Sequence, residues 1–495
     1  MRTTTRHRKF CSLPTWLSTW LPTWSALTVG LALSAGSQAH AQGTPAAKPA
    51  EVAPPATAEP APSPPPTQTM AENSPLAEQQ LEQVRQMVSA MKPWIEPTGY
   101  FRAGFAINSK GGDADAFQAP GAYSKYRLGN ETEVYGEFGL IFNMLNPDKN
   151  DGAWLKSAMK LAFVTPRNST FDTFNAFALR EAYVQAGHVI DAAPEMSFWA
   201  GQRFYRRKDV HIIDFFFHDM SGYGGGFEDL KVGSKSHLAV AYLGGSQEYG
   251  PTDPQSDVGR LVKNTIDLRL YNVPAGPGTL EFWLIPTLVT RGSLDNMLNS
   301  QSGTNRSGIG GGVFFFHPIL GGFNEVSTEF GIGGAANLST GIDNGIKKNG
   351  WLWRLVDRAT IQPTTKFSIM WTGVVQLDNK DGNAPGTTDS SLGNLWISFG
   401  ARPVYNFTKH TGIAVEGGVD IVQPQTANSS TGFVGKLTVA PLIRAGTGFW
   451  DRPEIRAFVT TAFWNDTVKG QVGGAAYANA NFGLTTGVQA EWWYN

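Results

Sequence analysis

A chain of 495 residues with a formal net charge of −1 has room for a large core or several domains, and it offers no strongly basic surface for nucleic acid. Charged residues reach only 16%, while glycine (56 residues) and aromatics (12%) are both high. Beyond the first 40 residues no apolar run is long enough for a membrane helix, which excludes a helical membrane protein. The mean hydropathy of −0.21 fits instead a transmembrane β-barrel, in which lipid-facing and lumen-facing residues alternate and average out.

In chain order, the first element is an export signal. Arg2, Arg6, Arg8 and Lys9 make a basic start, Ala26 to Ala35 an apolar stretch, and Ala39-His40-Ala41 a cleavage site, so residues 1–41 read as a signal peptide. The single cysteine, Cys11, leaves with it, so the exported chain holds no disulfide. Losing four basic and no acidic residues shifts the formal charge from −1 to −5. Residues 42–74, dominated by Pro and Ala, predict an extended periplasmic spacer.

Residues 75–95 predict a short helix. Ser74 supplies an N-cap, Pro75 suits the first helical position, and Ala77, Leu81, Val84, Val88 and Met91 form a heptad seam. A trimeric coiled coil and a short amphipathic helix lying on the barrel are both compatible with that seam. Pro93 and Pro97 end it. The 42–95 arm is also a candidate contact with peptidoglycan or a periplasmic partner.

From Gly99 onward the texture is strand and turn. Ile266, Leu268 and Leu270 alternate with Asp267 and Arg269, residues 274–278 turn the chain, and Leu280, Phe282 and Leu284 resume the apolar phase. Similar pairs recur at 135–142, 351–361 and 437–449, and no 20–50-residue repeat is visible. One stretch stands apart, from Trp199 to Glu228. It carries Arg203, Arg206, Arg207 and Lys208, then Phe215-Phe216-Phe217, His218 and Asp219, then a glycine-rich exit. Arginines, carboxylates and ring faces bind hydroxyls and flat sugar faces, so this is a candidate polar constriction. The competing reading is a solvated loop with an apolar anchor. His211, Asp214, His218 and Asp219 form the only dense cluster of hydrolase-like side chains, with no partner Ser or Cys motif and no metal-ligand spacing. The chain is therefore read as a non-enzyme with no cofactor and no metal.

Several blocks resemble one family, the maltoporins, trimeric sugar channels of the outer membrane. They are GYFRAGF (99–105), SKYRLGNETEVYGE (124–137), LREAYVQ (179–185), WAGQRFYRRKDVHIIDFFFHDMSG (199–222), GGFN (321–324), RPVY (402–405), RPEIRAF (452–458) and EWW (491–493). The resemblance implies an all-β fold over 99–495: an 18-stranded antiparallel barrel with an inward-folded constriction loop, embedded in outer-membrane lipid and assembled as a homotrimer. About 22 residues per strand and loop leave enough for strands of about 9–11 residues. The implied function is facilitated diffusion of maltose and maltodextrins along an aromatic slide. The alternatives are a broader-specificity or sucrose-type carbohydrate porin, which the 42–95 extension also resembles, and more remotely an anchor, an adhesin or a barrel enzyme.

Carried over by motif, the slide falls on Tyr100, Tyr135, Phe323, Trp396 and Trp493, with Phe171 or Phe174 at its outermost position. The ionisable track falls on Arg102, Arg127, Glu137, Arg180, Arg207, Asp214 and Asp219, with Phe216 where the family places a constriction tyrosine. Arg102 has the alternative of simply pairing with a carboxylate, and an unaligned residue such as Trp464 is expected in an interface girdle. The family's first-loop disulfide would need cysteines at Ala116 and Thr132, so that loop is held by packing or is looser. The segment after Trp464 is short, which implies a trimmed outer loop.

Overall fold

The computed structural model describes residues 94–165, 176–249, 259–291, 306–343, 346–380, 393–424 and 429–494. The signal peptide, the spacer and residues 75–93 of the expected helix lie outside them; Ile95, at the end of that expected helix, instead opens the first strand. In chain order the strands are β1 (Ile95–Asn108), β2 (Val134–Leu145), β3 (Trp154–Thr165), β4 (Ala176–Gly187), β5 (Ser197–Arg203), β6 (Lys208–Val210), β7 (Phe215–His218), β8 (Gly222–Val232), β9 (Ser236–Tyr249) and β10 (Gly259–Ala275). They continue as β11 (Gly278–Arg291), β12 (Arg306–Ile319), β13 (Gly322–Gly333), β14 (Trp351–Ile361), β15 (Phe367–Asn379), β16 (Gly393–Asn406), β17 (Thr411–Pro424), β18 (Gly432–Arg444), β19 (Glu454–Trp464) and β20 (Phe482–Tyr494). All but β6 and β7 join one 18-stranded sheet. Each strand pairs antiparallel with the next, and β1 pairs with both β2 and β20, so the sheet closes on itself. Closure leaves no edge strand, which the membrane interior requires.

The side-chain pattern decides which medium surrounds this cylinder. On β19, Glu454 and Arg456 are 5% and 2% exposed, whereas Ile455, Val459 and Phe463 are 59%, 49% and 50% exposed. Charge inside and apolar surface outside is the inverse of a water-soluble protein, and it matches a barrel whose outer band faces lipid. Connections at one end are short (233–235, 276–277, 320–321, 407–410), and those at the other are long (109–133, 204–221, 334–350, 465–481). Short turns mark the periplasmic end and long loops the outer end. The expected 437–449 strand stops at Arg444. There the Arg444 guanidinium donates to the carbonyls of Gly448 and Thr447, holding 445–453 as a turn.

These four long loops fold inward. Loop 109–133 lies against the inner wall, where the Tyr126 ring covers Gly400 and Gly418. A Cβ at either glycine would sit 2.2–2.3 Å from ring atoms, so only glycine leaves space. The backbone of Leu128 donates to Glu416 (2.9 Å) and accepts from Lys436 (2.7 Å) and Thr438 (3.0 Å). The loop's own ends are tied by Asn130: its Oδ1 accepts from the Phe117 N–H (2.7 Å) and its Nδ2 donates to the Phe117 carbonyl (2.9 Å). One carboxamide thus bridges the neighbourhood where the family's disulfide would stand, and the loop is held rather than loose. Asn130→Ala should lower thermal stability by about 1–3 kcal/mol, the cost of leaving buried backbone groups unpaired. Thermal unfolding in detergent checks this; an unchanged midpoint would mean that the wall contacts alone hold the loop.

Trp464 departs from expectation. It lies inside the barrel, 5.9 Å from the Phe117 ring and 6.3 Å from Tyr477, because loop 109–133 and segment 465–481 close over its end of β19. Tyr477 in turn donates to the Leu484 carbonyl (2.5 Å), drawing the 465–481 segment onto the wall.

Candidate functional site

Period-2 alternation on three neighbouring strands builds an aromatic row. Tyr100 on β1 stands opposite Glu137 of β2 and Trp493 of β20, while Arg102 stands opposite Tyr135 and Glu491. All six therefore face the lumen. The Tyr100 ring lies 6.0 Å from Tyr135 and 6.4 Å from Trp493, nearly parallel to the latter at 18°. Trp450, in the 445–453 turn, extends the row at 6.3 Å from Trp493. The rings are fixed by their polar neighbours. Tyr100 donates to Glu491 (3.0 Å) and accepts from Arg127 (2.6 Å), Tyr135 donates to Glu137 (2.5 Å), and the Arg452 guanidinium sits 4.2 Å over Trp493.

Charged groups flank the row in opposed pairs. Arg102 contacts Asp214 (3.2 Å), Glu131 (3.5 Å) and Glu133; Arg127 contacts Glu131 (2.9 Å) and Glu491 (3.1 Å). Burial alone raises the Glu131 carboxyl, but Arg102 and Arg127 outweigh it and hold it at about 2. Asp214 ends the buried turn His211–Ile213 in the left-handed conformation (φ 50°), which aims its carboxylate back at Arg102.

Loop 204–221 folds into the lumen, with β6 and β7 as its small hairpin. Arg354 donates to the Phe217 carbonyl, and Lys208 pairs with Glu281 (3.0 Å) and Glu325 (2.9 Å), so both strands of the hairpin are tied to the wall. Arg207 meets Asp219 at 3.1 Å and is sandwiched between Phe204 (4.0 Å) and Phe216 (3.8 Å). A guanidinium between two phenyl faces is held by cation–π attraction on both sides. Arg180 lies 5.1 Å over the other reach of Phe204 and, among the described residues, has no carboxylate in ion-pair range. His211 and His218 do not converge: His211 packs on Trp450 (5.2 Å), while His218 is pinned between Glu329 (2.7 Å) and Arg269 (2.8 Å).

With a closed 18-stranded cylinder, inward loops and this lining established, the decisive comparison is with family models: that of the LamB porin matches residues 95–494. The chain belongs to the LamB porin family, the maltoporins. It is an outer-membrane channel. Solved structures similar to this porin include the outer membrane channel DcaP of Acinetobacter baumannii, at 11% identity over 81% of this chain and 97% of that one, with a TM-score of 0.43. They also include Pseudomonas aeruginosa OccD3, at 9% identity over 83% and 97% with a TM-score of 0.41. A third is P. aeruginosa OpdK with vanillate, at 12% identity over 81% and 99% with a TM-score of 0.40. A likeness that distant carries no information about the solute.

Within this porin the motif-assigned residues divide. Tyr100, Tyr135 and Trp493 form one row, and Arg102, Arg127, Glu137 and Asp214 surround it. Arg180, Arg207, Phe216 and Asp219 meet at the inward loop 204–221. Phe323 also faces the lumen, on β13, and stacks on Phe316 at 5.6 Å. Trp396 is not in the row. It is 0% exposed, wedged between Tyr123 (5.8 Å) and Phe215 (5.1 Å), with its indole N–H on Asp420 (2.9 Å). Phe171 and Phe174 lie outside the described residues. Trp450, Phe204 and Phe316 escaped the sequence reading. Trp450 sits in a turn, where strand periodicity is silent; its only signal was its place just before the RPEIRAF block.

Proposed function

We propose that this porin passes neutral oligosaccharides of the maltose and maltodextrin type by facilitated diffusion, as a homotrimer with one channel per subunit. The observation that carries the reading is the row Tyr135–Tyr100–Trp493–Trp450 flanked by matched charges. A pyranose presents a face of C–H groups to a ring and hydroxyls at its edge. Consecutive rings let it step between similar shallow contacts, while arginines and carboxylates beside the row exchange charge-assisted hydrogen bonds with successive hydroxyls. Passage needs binding firm enough to admit and weak enough to release. Matched charges also leave little net field to favour an ion over a neutral solute.

A sucrose-type or broader carbohydrate range has one specific support. Phe216 brings no hydroxyl to the expected constriction, and its ring face is occupied by Arg207. For the 42–95 arm, its length and Pro/Ala composition support a periplasmic or peptidoglycan contact.

Reconstitution in a planar bilayer tests the reading. Maltohexaose should block the current in a concentration-dependent way and more strongly than sucrose. Equal block by both favours the broader carbohydrate porin, and current indifferent to every sugar overturns the sugar reading.

A further inference from the structure

The four-ring row accounts for one wall of the lumen only. Strands β2, β1 and β20 and the 445–453 turn carry it, and the strands halfway round the eighteen-strand ring from β2, β1 and β20 are β13, β12 and β11. On that far wall Phe316 and Phe323 stack at 5.6 Å and 21°. Both face inward. Phe314, two residues before Phe316, lies 4.1 Å under Lys208 and 5.0 Å from His218, both on the inward loop; Glu325, two residues after Phe323, pairs with Lys208. Phe316 is 39% exposed although it faces inward, and it is the last lumen-facing ring of β12 before the periplasmic turn at 320–321. Just above, Arg358 pairs with Glu325 (3.0 Å) and lies 5.4 Å over Phe323, so a hydroxyl-binding pair borders the ring faces.

We infer that Phe316 joins Phe323 in a two-ring floor at the periplasmic mouth, which receives a sugar on the face opposite to the one held by the row. The inference rests on the sugar reading above. A pyranose has two faces. Beyond Arg207 the row still lines one wall as far as Trp450, while the Phe316–Phe323 pair stands on the other, so the second face of the solute meets a ring before it reaches bulk water. Phe316 makes no hydrogen bond to be lost, and its ring is partly open, so its truncation removes stacking area and little else.

The test uses the full-length porin in planar bilayers, with maltohexaose added to each side in turn and association rates taken from current block. Phe316→Ala should slow association from the periplasmic side ~3–10-fold, the range expected for one aromatic contact. Association from the outer side should stay as it was. Because the row is untouched, the equilibrium binding constant should hold, release through the periplasmic mouth slowing with association. Phe316→Tyr should restore the rate. Association unchanged from both sides, or slowed equally from both, overturns the inference. Failure of wild-type porin to be blocked by any sugar is a separate result, which removes the sugar reading itself.

Discussion

Glu491→Ala should be the most damaging single substitution in the lumen. The Glu491 side chain is fully buried on β20 and meets Arg127 (3.1 Å), Arg452 (3.0 Å), Arg456 (3.3 Å) and the Tyr100 hydroxyl (3.0 Å). Removing it leaves three guanidiniums close together, with only Glu131 and Glu454 to balance them. Stripping one partner from a buried ion cluster costs about 3–5 kcal/mol. Two consequences should appear together. Thermal unfolding in detergent should shift well downward, and maltodextrin block should weaken sharply, because Tyr100 loses its acceptor and Arg452 its reason to stay over Trp493. Glu491→Gln keeps the shape and part of the hydrogen bonding and should fall between. Wild-type stability and wild-type block in the alanine variant would show that this carboxylate is not the hub.

The second large effect separates two tryptophans. Trp450 is 40% exposed at the end of the row, whereas Trp396 is sealed beneath Tyr123 and Phe215. Trp450→Ala should therefore weaken maltodextrin binding by about tenfold, near the upper end of one aromatic contact, with little change in unfolding temperature. Trp396→Ala should do the reverse. It opens a cavity and strands Asp420 without its indole donor, at about 3–5 kcal/mol, while the four-ring row stays in place. The pair is read by measuring current block and unfolding on both variants. Loss of binding in the Trp396 variant at unchanged stability would put that ring back on the solute path.

The two tryptophans also show what a sequence can and cannot convey about such a channel. Weak hydropathy and alternation along the strands announced a barrel and its hairpins, while the eighteen strands and the inward place of Tyr100, Tyr135 and Trp493 were legible only through the maltoporin motifs that carry them. Trp396 does point inward, as its strand phase requires. Its burial is decided by loops 109–133 and 204–221, more than 170 residues away in the chain, and period-2 patterning says nothing about what lies on top of a wall. Trp450 is the converse case, a turn residue that enters the row through the fold of 445–453. Asn130 illustrates a third limit. A polar residue in a loop looks unremarkable until its carboxamide is found bridging both backbone groups of Phe117.

The place of the aromatic row in the cylinder has a consequence for assembly. Tyr135 and Tyr100 come from β2 and β1, and Trp493 from β20, so the row straddles the seam where the first strand meets the last. A chain still missing its final dozen residues would possess nearly all of the wall and none of the continuous path. The aromatic row is therefore completed only at the zipping of that seam, and an incompletely sealed cylinder in the membrane would be a hole that lacks it.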